Sequence, residues 1–190
     1  MKAELLAPAG SYSKLETALH FGADAVYIGG KAFSLRTFAD NFTEKELRSA
    51  VDSAHRYGKK IYVAANVFAR NEDFDNLKDY FRFLKDIGTD AAIVSDPGVI
   101  YVAKESAPEL PLHLSTQANT VNKYAVRFWK EQGISRIILA RELSVSEISE
   151  IRDFVPDIQL EAFVHGAMCI SYSGRCLLSD YLDGRSSNRG

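Results

Sequence analysis

Seven short apolar runs, each followed by a stretch with helical spacing, constrain this chain more than any other feature. The runs fall at 4–7, 25–29, 60–66, 91–95, 112–115, 136–140 and 159–164. Between them, Leu47, Ala50, Val51 and Ala54 recur three and four residues apart, as do Phe74, Leu77, Phe81 and Leu84. That spacing puts each set on one face of a helix. Thr43-Glu-Lys-Glu46 and Ser144-Val-Ser-Glu147 are capping boxes that predict two helix starts. Glycine closes the helical stretch before a strand in Gly22-Ala-Asp-Ala-Val-Tyr-Ile, Gly88-Thr-Asp-Ala-Ala-Ile-Val and Gly133-Ile-Ser-Arg-Ile-Ile-Leu. Glycine there predicts a left-handed helix C-cap, which alanine would strain. The unit repeats at roughly thirty to forty residues, the length of successive strand–helix units.

Strand–helix alternation in one direction gives a parallel sheet. No Gly-x-Gly-x-x-Gly follows a strand and no long crossover marks a switch point, which disfavours an open doubly wound sheet. The expected fold is therefore α/β, a TIM-like (β/α) barrel. A complete barrel takes eight strands and about 250 residues. This chain has 190 residues and seven candidate strands. The expectation is a single domain, residues 1–190, holding the first seven strand–helix units of an incomplete barrel. It would be open between the seventh strand and the first, with the remaining barrel and a C-terminal region beyond Gly190.

Composition narrows the function classes. Hydrophobic residues make up 46% and charged residues 25%, ordinary globular usage that excludes disorder. The net charge of −2 gives no overall pull toward nucleic acid or anionic membrane. An RNA partner then requires a basic segment elsewhere. Two cysteines are too few for a disulfide scaffold and point to a reducing cytosol. The apolar run at 5–7 is far too short for a signal peptide or a membrane span. A cytoplasmic protein without a membrane partner is expected.

In a barrel, function sits at the C-terminal ends of the strands. Those ends supply Arg36, Asn66, Arg70, Ser95, Ser115, Gln117, Asn119, Arg141, Glu142 and His165. Arg36, Asn66, Gln117 and Arg141 are the expected substrate-binding residues. Arg36, Arg70 and Arg141 are suited to an anion, because guanidinium pairs with carboxylate or phosphate in a fixed fork; surface ion pairing is the competing role for each. Glu161 lies inside a strand, and an inward carboxylate there must be paired or protonated. His20 and His55 sit late in helices, where imidazole suits the negative end of the dipole, and His113 lies within a strand.

The densest chemistry is in Glu161-Ala-Phe-Val-His165-Gly-Ala-Met-Cys169-Ile-Ser-Tyr-Ser-Gly174-Arg-Cys176-Leu-Leu-Ser179. It holds both cysteines, a histidine and a carboxylate. Spacing alone is a weak metal signal, since Cys-x-x-Cys is the stronger zinc pattern and free cysteine is often simply buried. The wider pattern adds more. Together with Glu4-Leu-Leu-Ala-Pro-Ala-Gly10, Gly22-Ala-Asp-Ala-Val-Tyr-Ile-Gly29, Ser115-Thr-Gln-Ala-Asn119 and Ala140-Arg-Glu-Leu143, this segment closely resembles the collagenase-like peptidase family, peptidase family U32. The resemblance covers essentially the whole chain.

The resemblance implies two activities. The family carries a protease name, yet several bacterial members are hydroxylation factors. These include proteins that make 5-hydroxyuridine in tRNA with prephenate as hydroxyl source, an rRNA cytidine hydroxylase, and paired factors of ubiquinone synthesis. Those members hold an iron–sulfur cluster on four cysteines. Cys169 and Cys176 match the first two, so the chain carries half of a 4Fe–4S ligand set. The resemblance thus implies tRNA and a small dicarboxylate as partners of the full-length protein. His165, Glu161 and Arg141 are the expected catalytic groups. A thiol protease would use Cys169 with His165, oriented by Glu161, although no Gly-x-Ser-x-Gly elbow or His-Glu-x-x-His helix is present. A third reading is a non-catalytic scaffold that pairs with a homologue or with itself.

Overall fold

A computed structural model of the chain describes residues 3–34, 41–166, 169–176 and 181–182. The candidate anion ligand Arg36 lies outside them. Seven strands form one sheet: β1 (Leu6–Pro8), β2 (Ala25–Gly29), β3 (Lys60–Ala64), β4 (Ala91–Val94), β5 (Leu112–Leu114), β6 (Arg136–Ile138) and β7 (Gln159–Glu161). Their order in the sheet is the order in the chain, and every neighbouring pair is parallel. Among the described residues six helices connect them: α1 (Tyr12–His20), α2 (Glu44–Arg56), α3 (Leu77–Asp86), α4 (Pro97–Ser106), α5 (Lys123–Glu131) and α6 (Val145–Phe154). This is the expected (β/α) architecture, and β1 and β7 are its two edge strands.

Local chemistry sets the helix ends. Both expected capping boxes form, with Glu46 accepting from the Thr43 N–H and Glu147 from the Ser144 N–H, each at 2.8 Å. Asp96 caps α4, where Pro97 supplies a preset φ at a position with no N–H to lose. Gly22, Gly88 and Gly133 have φ of 93°, 81° and 80°, the left-handed geometry expected of them.

Alternate residues of each strand face opposite sides. Val26, Ile28, Ile61, Val63, Ala92, Val94, Leu112, Leu114 and Ile137 pack outward against Leu47, Val51, Leu77, Phe81 and Leu84 of the helices. The concave side is different. Ala25, Tyr62, Ala91, Ile93 and Ile138 form a small apolar cluster there. Beside it stand Glu4, His113, Arg136, Gln159 and Glu161. The sheet curls far enough for Arg136 of β6 to reach Glu4, just before β1, at 2.7 Å.

Several boundaries differ from expectation. β1 starts two residues later and ends one residue later than its apolar run, and the Glu4 side chain before it pairs with Arg136 and Tyr62. The ladder of β3 stops at Ala64, before Asn66, and β7 stops at Glu161, before Val164. Phe74 belongs not to α3 but to a 3-10 turn at Asn71–Asp75 that precedes it. A second 3-10 turn, Thr116–Ala118, follows β5.

Candidate functional site

The strand ends expected to form a mouth do converge. Asn66 donates from Nδ2 to Ser115 Oγ at 3.4 Å, and Ser95 Oγ donates to the Asn66 carbonyl at 3.2 Å. Ser115 Oγ also accepts from the Gln117 N–H at 3.3 Å. Asn66 and Gln117 are therefore brought to one polar seam over β3, β4 and β5. Ser95 and Ser115 are almost fully buried there.

Beyond β7 the chain returns across this face, and the cysteine segment docks on the ends of β5 and β6. Ser173 is the point of attachment, 1% exposed. Its N–H donates to Glu142 Oε1 at 2.9 Å. Its carbonyl accepts from Asn119 Nδ2 at 2.8 Å. Its hydroxyl accepts from the Arg141 N–H at 3.2 Å and from Arg141 Nε at 3.3 Å. Asn119 sits at φ 51°, a left-handed conformation that asparagine tolerates. Gly174 completes the dock: at φ 73°, a Cβ there would lie 2.2 Å from the Gln117 carbonyl oxygen.

Arg141 holds more than Ser173. Nη1 donates to the Cys169 carbonyl at 2.6 Å and Nη2 to the Ser171 carbonyl at 2.8 Å. Three of the five N–H groups of its guanidinium are thus engaged by the cysteine segment. The residue expected to grip an anion is here a clamp on the segment that carries both thiols.

Cys169 is exposed and Cys176 half-buried, and both are free thiols. Cys169 Sγ accepts from the Ser171 N–H at 3.4 Å. That bond favours the thiolate and holds the Cys169 pKa below the usual thiol range, helped by a hydrogen bond from Cys176 and by the Arg141 charge. Two soft thiolates suit iron or zinc. Among the described residues no group of three or more His, Cys, Asp or Glu side chains could hold a metal ion. Cys169 and Cys176 fit part of a four-thiolate set, not all of it.

His165 is exposed and makes no hydrogen bond or ion pair among the described residues. No hydrogen bond among the described residues joins it to Cys169. Glu161 is engaged by Arg136 rather than by a thiol. It faces into the barrel, where its Oε2 accepts from Arg136 Nη1 at 3.3 Å. Burial raises the Glu161 carboxyl above its ordinary range, and the Arg136 charge only partly opposes this. Both conditions expected of an inward glutamate, pairing and a bias toward protonation, are met at once.

The surrounding network was not foreseen. Arg136 Nε and Nη2 donate to Gln159 Oε1 at 2.9 and 2.7 Å. Glu4 also accepts from Tyr62 OH at 2.9 Å. Burial alone would raise the Glu4 carboxyl, but the hydrogen bonds from Arg136 and Tyr62 bring it below the usual value. His113 stacks edge-on against Tyr62 with its centroid 4.6 Å away, and its Nδ1 is buried without a hydrogen-bond partner among the described residues. Burial, with the Arg136 charge second, lowers its pKa to about 3, so it is neutral at physiological pH. The opposite ends of the strands supply Arg136 and Gln159, whose charge and amide form a polar floor beneath the mouth.

A partial parallel barrel with a docked thiol segment at its C-terminal face defines a (β/α) half-barrel class of α/β protein. The family follows from the sequence match: the model of Peptidase family U32 matches residues 10–190, and the chain belongs to that family. It is 52% identical over 189 residues to tRNA hydroxylation protein P1 of Bacillus subtilis (strain 168), matching 100% of this chain and 44% of that protein. It is 48% identical over 192 residues to tRNA hydroxylation protein P of Escherichia coli (strain K12), matching 100% of this chain and 42% of that one. The chain thus spans less than half the length of these curated relatives. A solved U32 peptidase superposes with a TM-score of 0.73 at 20% identity, covering 89% of this chain and 71% of that structure. At that identity the likeness shows the shared fold.

Proposed function

We propose that this chain is part of an enzyme that hydroxylates a tRNA uridine to 5-hydroxyuridine in the cytoplasm, using prephenate as hydroxyl source and a 4Fe–4S cluster held in part by Cys169 and Cys176. The similarity to tRNA hydroxylation protein P1 over the whole chain carries this reading. The docked thiol pair is the structural feature that agrees with it.

A thiolate-bound cluster would supply redox or Lewis-acid chemistry at this face. The chain's own residues would hold and orient. Cys169 and Cys176 are the ligands, and Arg141 fixes the backbone that carries Cys169. Two of its N–H groups remain for a substrate carboxylate. Asn66 and Gln117 border the seam where such a co-substrate would sit. A uridine taken out of its stack would enter the same mouth. The net charge of −2 assigns the grip on tRNA phosphates to basic residues outside these 190.

The thiol protease reading needs His165 at Cys169. Instead, the Cys169 sulfur accepts from the Ser171 N–H. The hydroxylation reading is tested by nucleoside analysis of tRNA from a strain lacking the gene. Loss of 5-hydroxyuridine and its derivatives is expected, and their undiminished presence would contradict the reading.

A further inference from the structure

Ser173 has every hydrogen-bonding group of its backbone and side chain held by a residue from another part of the chain. Glu142 accepts its N–H, Asn119 donates to its carbonyl, and Arg141 donates twice to its hydroxyl. The sites of attachment lie 31, 54 and 32 residues away in sequence. Such a concentration of bonds on one small residue, almost completely buried within a segment that is otherwise exposed or half-buried, is more than loop packing requires. The bonds fall between the two cysteines. From the same side chain, Arg141 reaches past Ser173 to the carbonyls of Ser171 and Cys169.

We infer that Ser173 is a pin, held by Glu142, Asn119 and Arg141, that presets the separation of the Cys169 and Cys176 thiols before any metal arrives. These are positioning residues: none is a thiol ligand, and all act through the backbone of the segment. A ligand pair fixed in advance loses less conformational freedom on binding, which is how outer partners tune metal affinity. Glu142 supports this most directly. It is largely exposed, so its loss leaves the core untouched, yet it caps the pin itself.

The test uses the full-length protein and two probes. The first is phenylarsine oxide, which takes both thiols: two As–S bonds form, and the two S–H protons leave with the oxide oxygen as water. The second is anaerobic loading with ferrous iron and sulfide, followed by release to a chelator. Glu142→Ala and Arg141→Ala are expected to weaken arsenical bridging of Cys169 to Cys176 and to speed iron release, each about tenfold or more. Glu142→Gln, whose amide oxygen still accepts from Ser173, should restore both. Far-UV melting should not change, which separates positioning from folding. Variants that bridge and hold iron as well as the parent overturn the inference. The iron arm rests on the function proposed above; the arsenical arm does not. A parent protein that takes no cluster, but bridges arsenical in a Glu142-dependent way, would sink the proposed function and leave the pin standing.

Discussion

Arg136 and Glu4, 132 residues apart in the chain, meet at 2.7 Å across the inside of the curled sheet. One stands at the start of β6, the strand beside one edge of the sheet, and the other just before β1, the opposite edge, and among the described residues β1 and β7 do not pair with each other. Tyr62, Gln159 and Glu161 complete its hydrogen bonds. A buried charge is tolerated only when satisfied in this way.

Removing Arg136 should therefore be costly. Arg136→Met strips Glu161 of its ion-pair partner and leaves Glu4 with Lys60 alone, at 3.6 Å. The Arg136 side chain is only 9% exposed, so a loss of about 3–5 kcal/mol is expected from denaturant unfolding. Arg136→Met with Glu4→Gln should lose clearly less than the sum of the single changes. Strict additivity would show that the pair does not couple the two ends.

His113 should make the fold acid-sensitive. It faces Tyr62 and lies near Arg136, Glu4 and Lys60. Its folded pKa of about 3 lies below the ordinary 6.5, so the unfolded chain binds the proton more readily between those values. Its contribution is complete above pH 6.5 and is lost as pH falls toward 3, by at most about 1.4 kcal/mol per pH unit. Glu161, raised above 4.5, acts in the opposite direction just above that pH. The difference between parent and His113→Phe isolates the histidine. The variant should lose less stability between pH 7 and pH 5; equal losses would remove His113 as the cause.

Gly174→Ala should unseat the cysteine segment. Its Cβ would meet the Gln117 carbonyl at 2.2 Å, and φ 73° disfavours any side chain. Hydrogen exchange across 169–176 should rise while the melting of the sheet changes little. A segment that stays protected would show that the backbone accommodates alanine without leaving the dock.

The seven strands were legible because each apolar run is short and bounded, and because parallel strands are buried on both faces. The helix starts were legible from Thr43-Glu-Lys-Glu46 and Ser144-Val-Ser-Glu147, where the signal is wholly local. The polar floor was not. Arg136 reads as the polar entry to an apolar run, and nothing local says that Glu4 and Gln159 meet it. The signal available was positional: Glu4, Arg136 and Gln159 all stand at or just before the first residue of a strand. The role of Arg141 was hidden for the same reason, since its acceptors are carbonyls 28 and 30 residues later. Backbone acceptors leave no mark on side-chain pattern. Ser115-Thr-Gln-Ala-Asn119 and Ala140-Arg-Glu-Leu143 were visible as motifs, but their shared task, docking Ser173 and Gly174, appears only in three dimensions.

The central claim joins the thiol pair to tRNA hydroxylation, and complementation tests it most directly. A strain lacking the gene would receive the full-length parent, Cys169→Ala or Cys176→Ala at matched protein levels, and its tRNA nucleosides would be separated by liquid chromatography with mass detection. The account predicts that the parent restores 5-hydroxyuridine and that neither variant does. Full restoration by either cysteine variant would contradict it.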